Sequence, residues 1–402
     1  KNLLKKTLTE GKIHFTCDYE EASEACDTAI VAVGTPSAED GSVDLSQIKK
    51  AFDMIIENLH FPKTIIIKST VPPGTTSSLQ KQFSIELENT GSNLVFCPEF
   101  LREGTAVHDF YHPDRIVIGS DSNEAYKIVE GIFYPLSREV PVVKCGTISA
   151  EMIKYGSNVM LASRLAAVNE LAELSEKIGG DIGEITSGIG LDRRIGTDFL
   201  KAGPGFGGSC FGKDVAGLVM KARSSGVEMP HIGEIIKSNN QQKIRPAEKL
   251  EKLLGTLKGK KIAVLGLSFK ADTDDVRGSA AFEIISYLIE KKAVVKAHDP
   301  RAEYNFIRDF KRKGYSCAEN AADALNRADA AVILTDWEEY SKLTPEIMGA
   351  LMHGRVIVDA RNMFDEQAFR QKGFTIHGTG RPAAAAKSRK RSEFVNAAIV
   401  SM

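Results

Sequence analysis

The feature that most restricts this chain is a series of short, wholly apolar runs, each closed by Gly, Pro or small polar residues. Thr28-Ala-Ile-Val-Ala-Val33 stops at Gly34-Thr-Pro36, Thr64-Ile-Ile-Ile67 stops at Lys68-Ser-Thr-Val-Pro-Pro-Gly74, and 93–96 stops at Pro98. Aliphatic runs of strand length without alternation are strands buried on both faces, which a parallel sheet covered by helices provides. A helix over 44–59 separates the first two, so this part reads as βαβ units of a doubly wound sheet. The pattern restarts at Lys261 with strands at 262–265, 294–297, 330–334 and 356–358 and a helix near 279–290. The fold class is therefore α/β, with two doubly wound parallel-sheet domains.

A long helical pattern joins the halves. It starts at Ser149, a good N-cap residue, and continues to Gly179-Gly180 with the single interruption of Gly156. Residues 181–240 read as helical and loop-rich. The expected domains are 1–148, 149–245 and 246–380, followed by a basic low-complexity segment, 381–402, that reads as a disordered tail. Segment 2–9 reads as the tail of a helix and 13–15 as a short strand.

The halves also resemble each other. Asp27-Thr-Ala-Ile-Val-Ala-Val33 matches Asp329-Ala-Ala-Val-Ile-Leu-Thr335 in residue type, but two full strands precede the second copy and only 13–15 precedes the first. The chain reads as carrying no GxGxxG anywhere, although the opening turn of an α/β nucleotide domain is where such a phosphate cradle stands. Together with a first residue, Lys1, that is not Met, this leads to the expectation of a first domain that lacks its opening βαβ unit.

Composition narrows the function classes. Lys+Arg 52 against Asp+Glu 53 gives a net charge of -1, so no basic field draws the chain to nucleic acid. No apolar stretch is long enough to span a bilayer, which argues against a membrane partner. The six cysteines form no CxxC pair, which fits a reducing cytoplasm, and no histidine spacing suggests a metal site.

The sharpest chemical signal is Gly203-Pro-Gly-Phe-Gly-Gly-Ser-Cys-Phe-Gly-Lys-Asp214. Its glycines allow close backbone approach by a ligand. Ser209 as N-cap would put Cys210 in the first turn of a helix, where the dipole favours a thiolate, with Asp214 one turn further along the same face. Buried packing is the plainer role for such a cysteine. In Pro98-Glu-Phe-Leu-Arg-Glu103, Pro98 at a helix start would place Glu99 and Glu103 on one face, either as a coupled acid–base pair or as a solvated surface. Lys154 and Asn158 share an apolar stripe with Leu161, Leu165 and Val168, so they are either bonded into the core or facing a site. Lys68, Ser69 and Thr70 follow a strand, and Lys270 and Arg277 flank a loop before a helix, where they could hold phosphates.

These motifs, taken in order with Cys97-Pro-Glu-Phe-Leu-Arg-Glu-Gly104 and Phe269-Lys270, closely resemble the UDP-glucose 6-dehydrogenases of the UDP-glucose/GDP-mannose dehydrogenase family. The resemblance covers roughly 1–380. It implies Rossmann-like NAD-binding and UDP-binding domains, a helical dimerisation domain between them, and four-electron oxidation of UDP-glucose to UDP-glucuronate with two NAD through a cysteine thioester. It further implies Cys210 as nucleophile, Lys154 and Asn158 as oxyanion donors, Asp214 and Thr70 around a water, and Glu99 as base. Val33, Gly34, Thr35, Pro36, Ser69, Thr70, Glu103 and Arg277 match cofactor contacts. Glu99, Phe100, Leu101, Arg102, Glu103, Lys154, Asn158, Phe199, Lys201, Gly207, Phe269, Lys270 and Arg361 match substrate contacts, and Arg194 matches an arginine that reaches the sugar nucleotide across a homodimer. Ser209, where N-acetylmannosamine relatives tend to carry His, favours UDP-glucose. GDP-mannose or UDP-N-acetyl-hexosamine oxidation is the alternative, and a non-catalytic UDP-sugar-binding remnant without an NAD cradle is the alternative of another class.

Overall fold

The computed structural model describes residues 2–38, 40–138 and 140–382, so the expected tail lies outside the described residues from 383 onward. The chain divides into two compact units, Lys1–Ala162 with Ser209–Ile236, and Ser163–Gly208 with Lys237–Met402. Among the described residues no helix is long and apolar enough to cross a membrane.

The first unit is built on a five-stranded sheet in the order β1 (Thr28–Val31), β2 (Thr64–Ile67), β3 (Asn93–Phe96), β4 (Ile116–Gly119), β5 (Val142–Cys145). The apolar runs are buried on both faces, as their composition requires. Ile65, Ile67 and Phe96 pack with Ile48 and Phe52 of the helix Ser46–Glu57 on one side, while Ile66, Val95 and Ile118 pack with Val129 and Phe133 of the helix Asn123–Ser137 on the other. Each fully buried isoleucine contributes about 2 kcal/mol over its exposed state.

Four expectations change here. The sheet is mixed, because β3 meets β4 antiparallel at Phe96 and Gly119 while the other pairs are parallel. The link between β3 and β4 holds only the short helix Ala106–Tyr111, and the chain re-enters the sheet at the end where it left. Residues 13–15 form no strand; Phe15 is 70% exposed and no described strand pairs with the segment. No helix follows Pro98, since the Pro98 carbonyl accepts from Lys68 Nζ (2.7 Å) and the Glu99 carbonyl from Lys154 Nζ (2.7 Å), so both acceptors of a first turn are taken. Ser149 is not an N-cap. The helix begins at Thr147, with Gly146 already accepting from Ala150 N–H (3.1 Å), and it runs to Ile178.

The second unit holds β6 (Lys261–Leu265), β7 (Val294–His298), β8 (Tyr315–Cys317), β9 (Ala330–Ile333), β10 (Val356–Asp359) and β11 (Thr375–Gly378), all parallel, in the order β11-β10-β9-β6-β7-β8. Counted along this unit, that is the Rossmann order, and it reverses between β6 and β9, where such sheets open a crevice for a ligand. Alternation along β6 and β9 feeds two cores: Ile262, Val264, Ala330 and Val332 face one, and Ala263, Leu265, Ala331 and Ile333 the other. Ser279 caps the helix Ala280–Glu290, its Oγ accepting from Ala281 N–H at 3.2 Å. The GxGxxG spacing does occur once, at Gly203 to Gly208, but no strand leads into it.

Asp299, just past β7, fixes the mouth of that crevice. Its carboxylate is 3% exposed and accepts from the backbone N–H of Leu267, Ser268, Arg301 and Ala302, from Ser268 Oγ and from Trp337 Nε1, at 2.8 to 3.1 Å. An acid at the end of the second strand is where a dinucleotide domain binds adenosine ribose, but here it is consumed internally. Asp299→Ala strands several buried donors and should cost about 3 to 5 kcal/mol in urea unfolding. A loss under about 1 kcal/mol would show that the loop is held by packing instead.

Candidate active site

The first unit gathers most of the sequence-predicted catalytic residues onto two helices. Cys210 is the N-cap of the helix Phe211–Ser224, so it stands one position before the first turn expected for it; Ser209 Oγ lies 3.6 Å from its sulfur and does not cap the backbone. Cys210 is exposed at the start of this helix. Its carbonyl accepts from Asp214 N–H (2.8 Å), which locks Asp214 one turn below.

Asp214 is 1% exposed, with Oδ1 held by Lys213 Nζ and Oδ2 by Asn158 Nδ2, both at 2.5 Å. Asn158 and Lys154 are 8% and 4% exposed and lie one turn apart on the helix Thr147–Ile178. Lys154 Nζ reaches the Glu99 carbonyl (2.7 Å) and Glu99 Oε1 (3.1 Å) and sits 5.2 Å from the Phe100 ring centre. The polar stripe is therefore bonded in two separate pairs, Lys154 to Glu99 and Asn158 to Asp214, and the second joins the helix that starts at Cys210 through the backbone bond from Asp214 N–H. Lys213, which residue spacing did not single out, completes the neutralisation of Asp214.

Around this cluster Arg115 lies over Phe100 at 3.6 Å, and Arg102 forms a two-pronged pair with Asp109. That guanidinium, bonding through its side chain first, holds the Asp109 carboxyl far below the usual carboxylate range. Leu101 N–H donates to Glu99 Oε2 (2.5 Å). Glu103 lies in the turn that follows, and without the expected helix it does not share a face with Glu99.

Beyond the carboxyl ends of β1 and β2, Val33 to Pro36 meet Ser69 and Thr70. Ser69 Oγ donates to the Val33 carbonyl (2.7 Å), Thr35 Oγ1 donates to the Thr70 carbonyl (2.9 Å), and Gly34 N–H donates to Gln47 Oε1 (3.2 Å). Lys68 turns away to Pro98, and burial pushes its pKa down.

The second unit holds the remaining expected substrate residues, and beyond its strand ends Arg361 meets Phe269 and Lys201 meets Asp336. Arg361, just past β10, donates to the carbonyls of Leu334 (2.7 Å) and Phe269 (2.8 Å), and burial lowers its pKa against the opposing charges of Asp336 and Asp359. Lys201 pairs with Asp336 (3.3 Å), a residue the sequence reading passed over although it follows a strand end. Gly207 packs so tightly that a Cβ there would lie 2.7 Å from the Gly278 carbonyl oxygen and from Phe269 Cβ. Phe199 holds a left-handed backbone (φ 57), a strained conformation of the kind that clusters at ligand sites. Lys270 Nζ stands 5.6 Å from the Phe269 ring centre. Arg277, expected as a cofactor contact, folds in this unit and pairs with Asp275 (2.6 Å). Arg194 is 84% exposed and pairs with Asp192 (2.6 Å).

Comparison with known proteins fits this geometry to a lineage. The NAD binding domain of the UDP-glucose/GDP-mannose dehydrogenase family matches residues 1–137, its central domain 148–241 and its UDP binding domain 263–366. The UDP-glucose 6-dehydrogenase of Rickettsia conorii is 40% identical over 378 residues, covering 94% of this chain and 87% of that protein. The chain belongs to the UDP-glucose/GDP-mannose dehydrogenase family. Within the family, the UDP-glucose 6-dehydrogenase TuaD of Bacillus subtilis is also 40% identical, over 385 residues covering 95% of this chain and 82% of that protein. A UDP-glucose dehydrogenase structure from Pyrobaculum islandicum superposes with a TM-score of 0.85 at 33% identity, covering 94% of this chain and 85% of the other.

The protein is thus an NAD-dependent enzyme of this dehydrogenase family. The match to the family's NAD binding domain overturns the reading of a non-catalytic remnant without an NAD cradle. The residues at the ends of β1 and β2 suit NAD in kind. Carbonyls, N–H groups and small hydroxyls stand together at the place where an open α/β sheet takes its ligand, and a side chain at Gly34 would come within 3.3 Å of Gln47. Val33 to Pro36, Ser69 and Thr70 are the residues that would hold it.

Proposed function

We propose that this chain oxidises UDP-glucose to UDP-glucuronate, in four electrons, with Cys210 as the covalent site. The observation that carries the reading is that one unit holds two buried pairs, Lys154 on Glu99 and Asn158 on Asp214, with Cys210 one turn before Asp214, in the same unit as strand ends suited to NAD. The 40% identity to UDP-glucose 6-dehydrogenases supports the choice of sugar, as does the small Ser209 beside the nucleophile.

NAD, when bound, supplies the hydride acceptor for both oxidations. The protein's residues do the rest. Asp214, through a water carried by Thr70, takes the hydroxyl proton as the alcohol becomes an aldehyde. The Cys210 sulfur adds to the aldehyde carbon, and Lys154 and Asn158 turn from Glu99 and Asp214 to hold the negative oxygen that forms. Loss of the second hydride leaves a thioester on Cys210. Water, deprotonated by Glu99, attacks the thioester, breaks the carbon–sulfur bond and releases the carboxylate with the thiolate restored. UDP occupies the β6/β9 crevice, with Phe199, Lys201, Gly207, Phe269, Lys270 and Arg361 around it. The domains follow the family's division into NAD-binding, central and UDP-binding parts, and a homodimer through the central part would bring Arg194 to the partner's substrate.

Comparing kcat/KM across sugar nucleotides tests the substrate. UDP-glucose should exceed GDP-mannose and UDP-N-acetylmannosamine by about 100-fold or more. A preference for either competitor would overturn the choice of UDP-glucose.

A further inference from the structure

Four polar side chains share one buried sector of the helix Thr147–Ile178. Glu151, Lys154, Tyr155 and Asn158 fall within about 100° of one another at 3.6 residues per turn. They are 0%, 4%, 0% and 8% exposed. Three of the four have their polar atoms engaged. Lys154 is on Glu99 and Asn158 is on Asp214. Glu151 accepts from Gly74 N–H (2.5 Å) through Oε2, and from Thr76 N–H (2.8 Å) and Oγ1 (2.6 Å) through Oε1. The Tyr155 hydroxyl is buried and has no hydrogen-bond partner.

A buried orphan hydroxyl costs free energy and is uncommon, so it calls for a reason. The helix that carries Cys210 and Asp214 packs against Tyr155 at Gly217, one turn past Asp214. A Cβ on Gly217 would lie 3.5 Å from Tyr155 Cε1, 3.6 Å from its hydroxyl oxygen and 2.9 Å from Val43 Cγ2. Glycine at this point lets the phenol sit against the turn that carries Asp214. Burial, and then the charges of Asp214 and Glu151, hold the phenol protonated, so it can act only as a donor or a neutral acceptor. Glu151 already has both oxygens bonded, which leaves Asp214 as the carboxylate nearby that changes partners.

We infer that Tyr155 is a positioning residue whose hydroxyl supplies Asp214 with a hydrogen bond when Asn158 swings to the reacting oxygen. This rests on the UDP-glucose dehydrogenase reading, in which Asn158 must leave Asp214. Without a replacement, Asp214 would lose one of its two buried side-chain donors while the reaction proceeds. The orphan in the resting enzyme is then the reserve donor of the working one.

The test is Tyr155→Phe in the full chain, with steady-state kinetics on UDP-glucose and NAD and a thermal unfolding curve, beside wild type. The expected result is a fall in kcat of about ten-fold with KM for UDP-glucose changed by less than about two-fold. The unfolding midpoint should be equal to or above that of wild type, because the variant removes an unsatisfied buried hydroxyl. An unchanged kcat overturns the inference, and so does a lost kcat accompanied by a lower midpoint, which marks a packing role. An inactive wild type would overturn the dehydrogenase reading and this inference with it, whereas an active wild type matched by the variant overturns this inference alone.

Discussion

Replacing Cys210 with alanine should reduce steady-state NADH formation by about 10^4-fold while leaving UDP-glucose affinity within about two-fold of wild type. The sulfur stands at the start of the helix Phe211–Ser224 and is exposed, so truncating it opens no cavity and strands no partner in the core. The backbone bond that fixes Asp214 runs to the Cys210 carbonyl and survives the change. The loss therefore falls on chemistry. Without the sulfur the aldehyde has no covalent anchor, and the second oxidation loses the tetrahedral adduct from which hydride departs. Isothermal titration with UDP-glucose, run beside the assay, separates this from misfolding. A variant that binds and still turns over within ten-fold of wild type would remove Cys210 from the mechanism.

The second largest effect is expected at Lys154. Its ammonium is almost fully buried, and two of its three donors rest on Glu99, one on the carbonyl and one on the carboxylate. A preformed cation in a dry site is worth far more to a developing oxyanion than the same charge in water, and deleting one such donor costs about 10^2 to 10^3 in rate. Lys154→Met keeps the length and apolar contacts of the stem while removing the charge, so kcat should fall by that factor with little change in KM. A rise in KM with kcat preserved would assign Lys154 to ground-state binding instead. The substitution also releases the Glu99 carbonyl, one of the two that keep residues 98–103 from forming a helix, so the loop's protease sensitivity is a second readout.

Much of the scaffold was legible because buried parallel strands leave so plain a trace. The runs at 28–33, 64–67, 262–265 and 330–334 all became strands within two residues of their expected ends, and Ser279 capped its helix as its type suggests. Local pattern failed where distant side chains intervene. Glu99 and Glu103 have helical spacing, but lysines from β2's end and from the long central helix take the carbonyls that a first turn needs. Ser209 has the chemistry of an N-cap, yet its hydroxyl turns to the neighbouring thiol, and the cap falls on Cys210. The reversed β4 could not be read from composition, since a strand buried in a mixed sheet looks like one in a parallel sheet.

The polar stripe was visible as an anomaly, Lys154 and Asn158 on an apolar face, but their partners were not. Asn158 meets Asp214 across 56 positions of sequence, and Lys154 meets Glu99 across 55. Tyr155 and Asp299 were missed for a related reason. A tyrosine beside a lysine and an aspartate after a strand are ordinary residues until burial shows one without a partner and the other with six.

The measurement that bears most directly on the proposed reaction is the count of NADH, read at 340 nm, against UDP-glucuronate formed when a limiting amount of UDP-glucose is run to completion with excess NAD. A four-electron oxidation through Cys210 gives about two NADH per sugar, with the carboxylate as the only accumulating product. One NADH per sugar with free aldehyde in solution would contradict it, because the chain would then be a simple alcohol dehydrogenase with no use for the thiol.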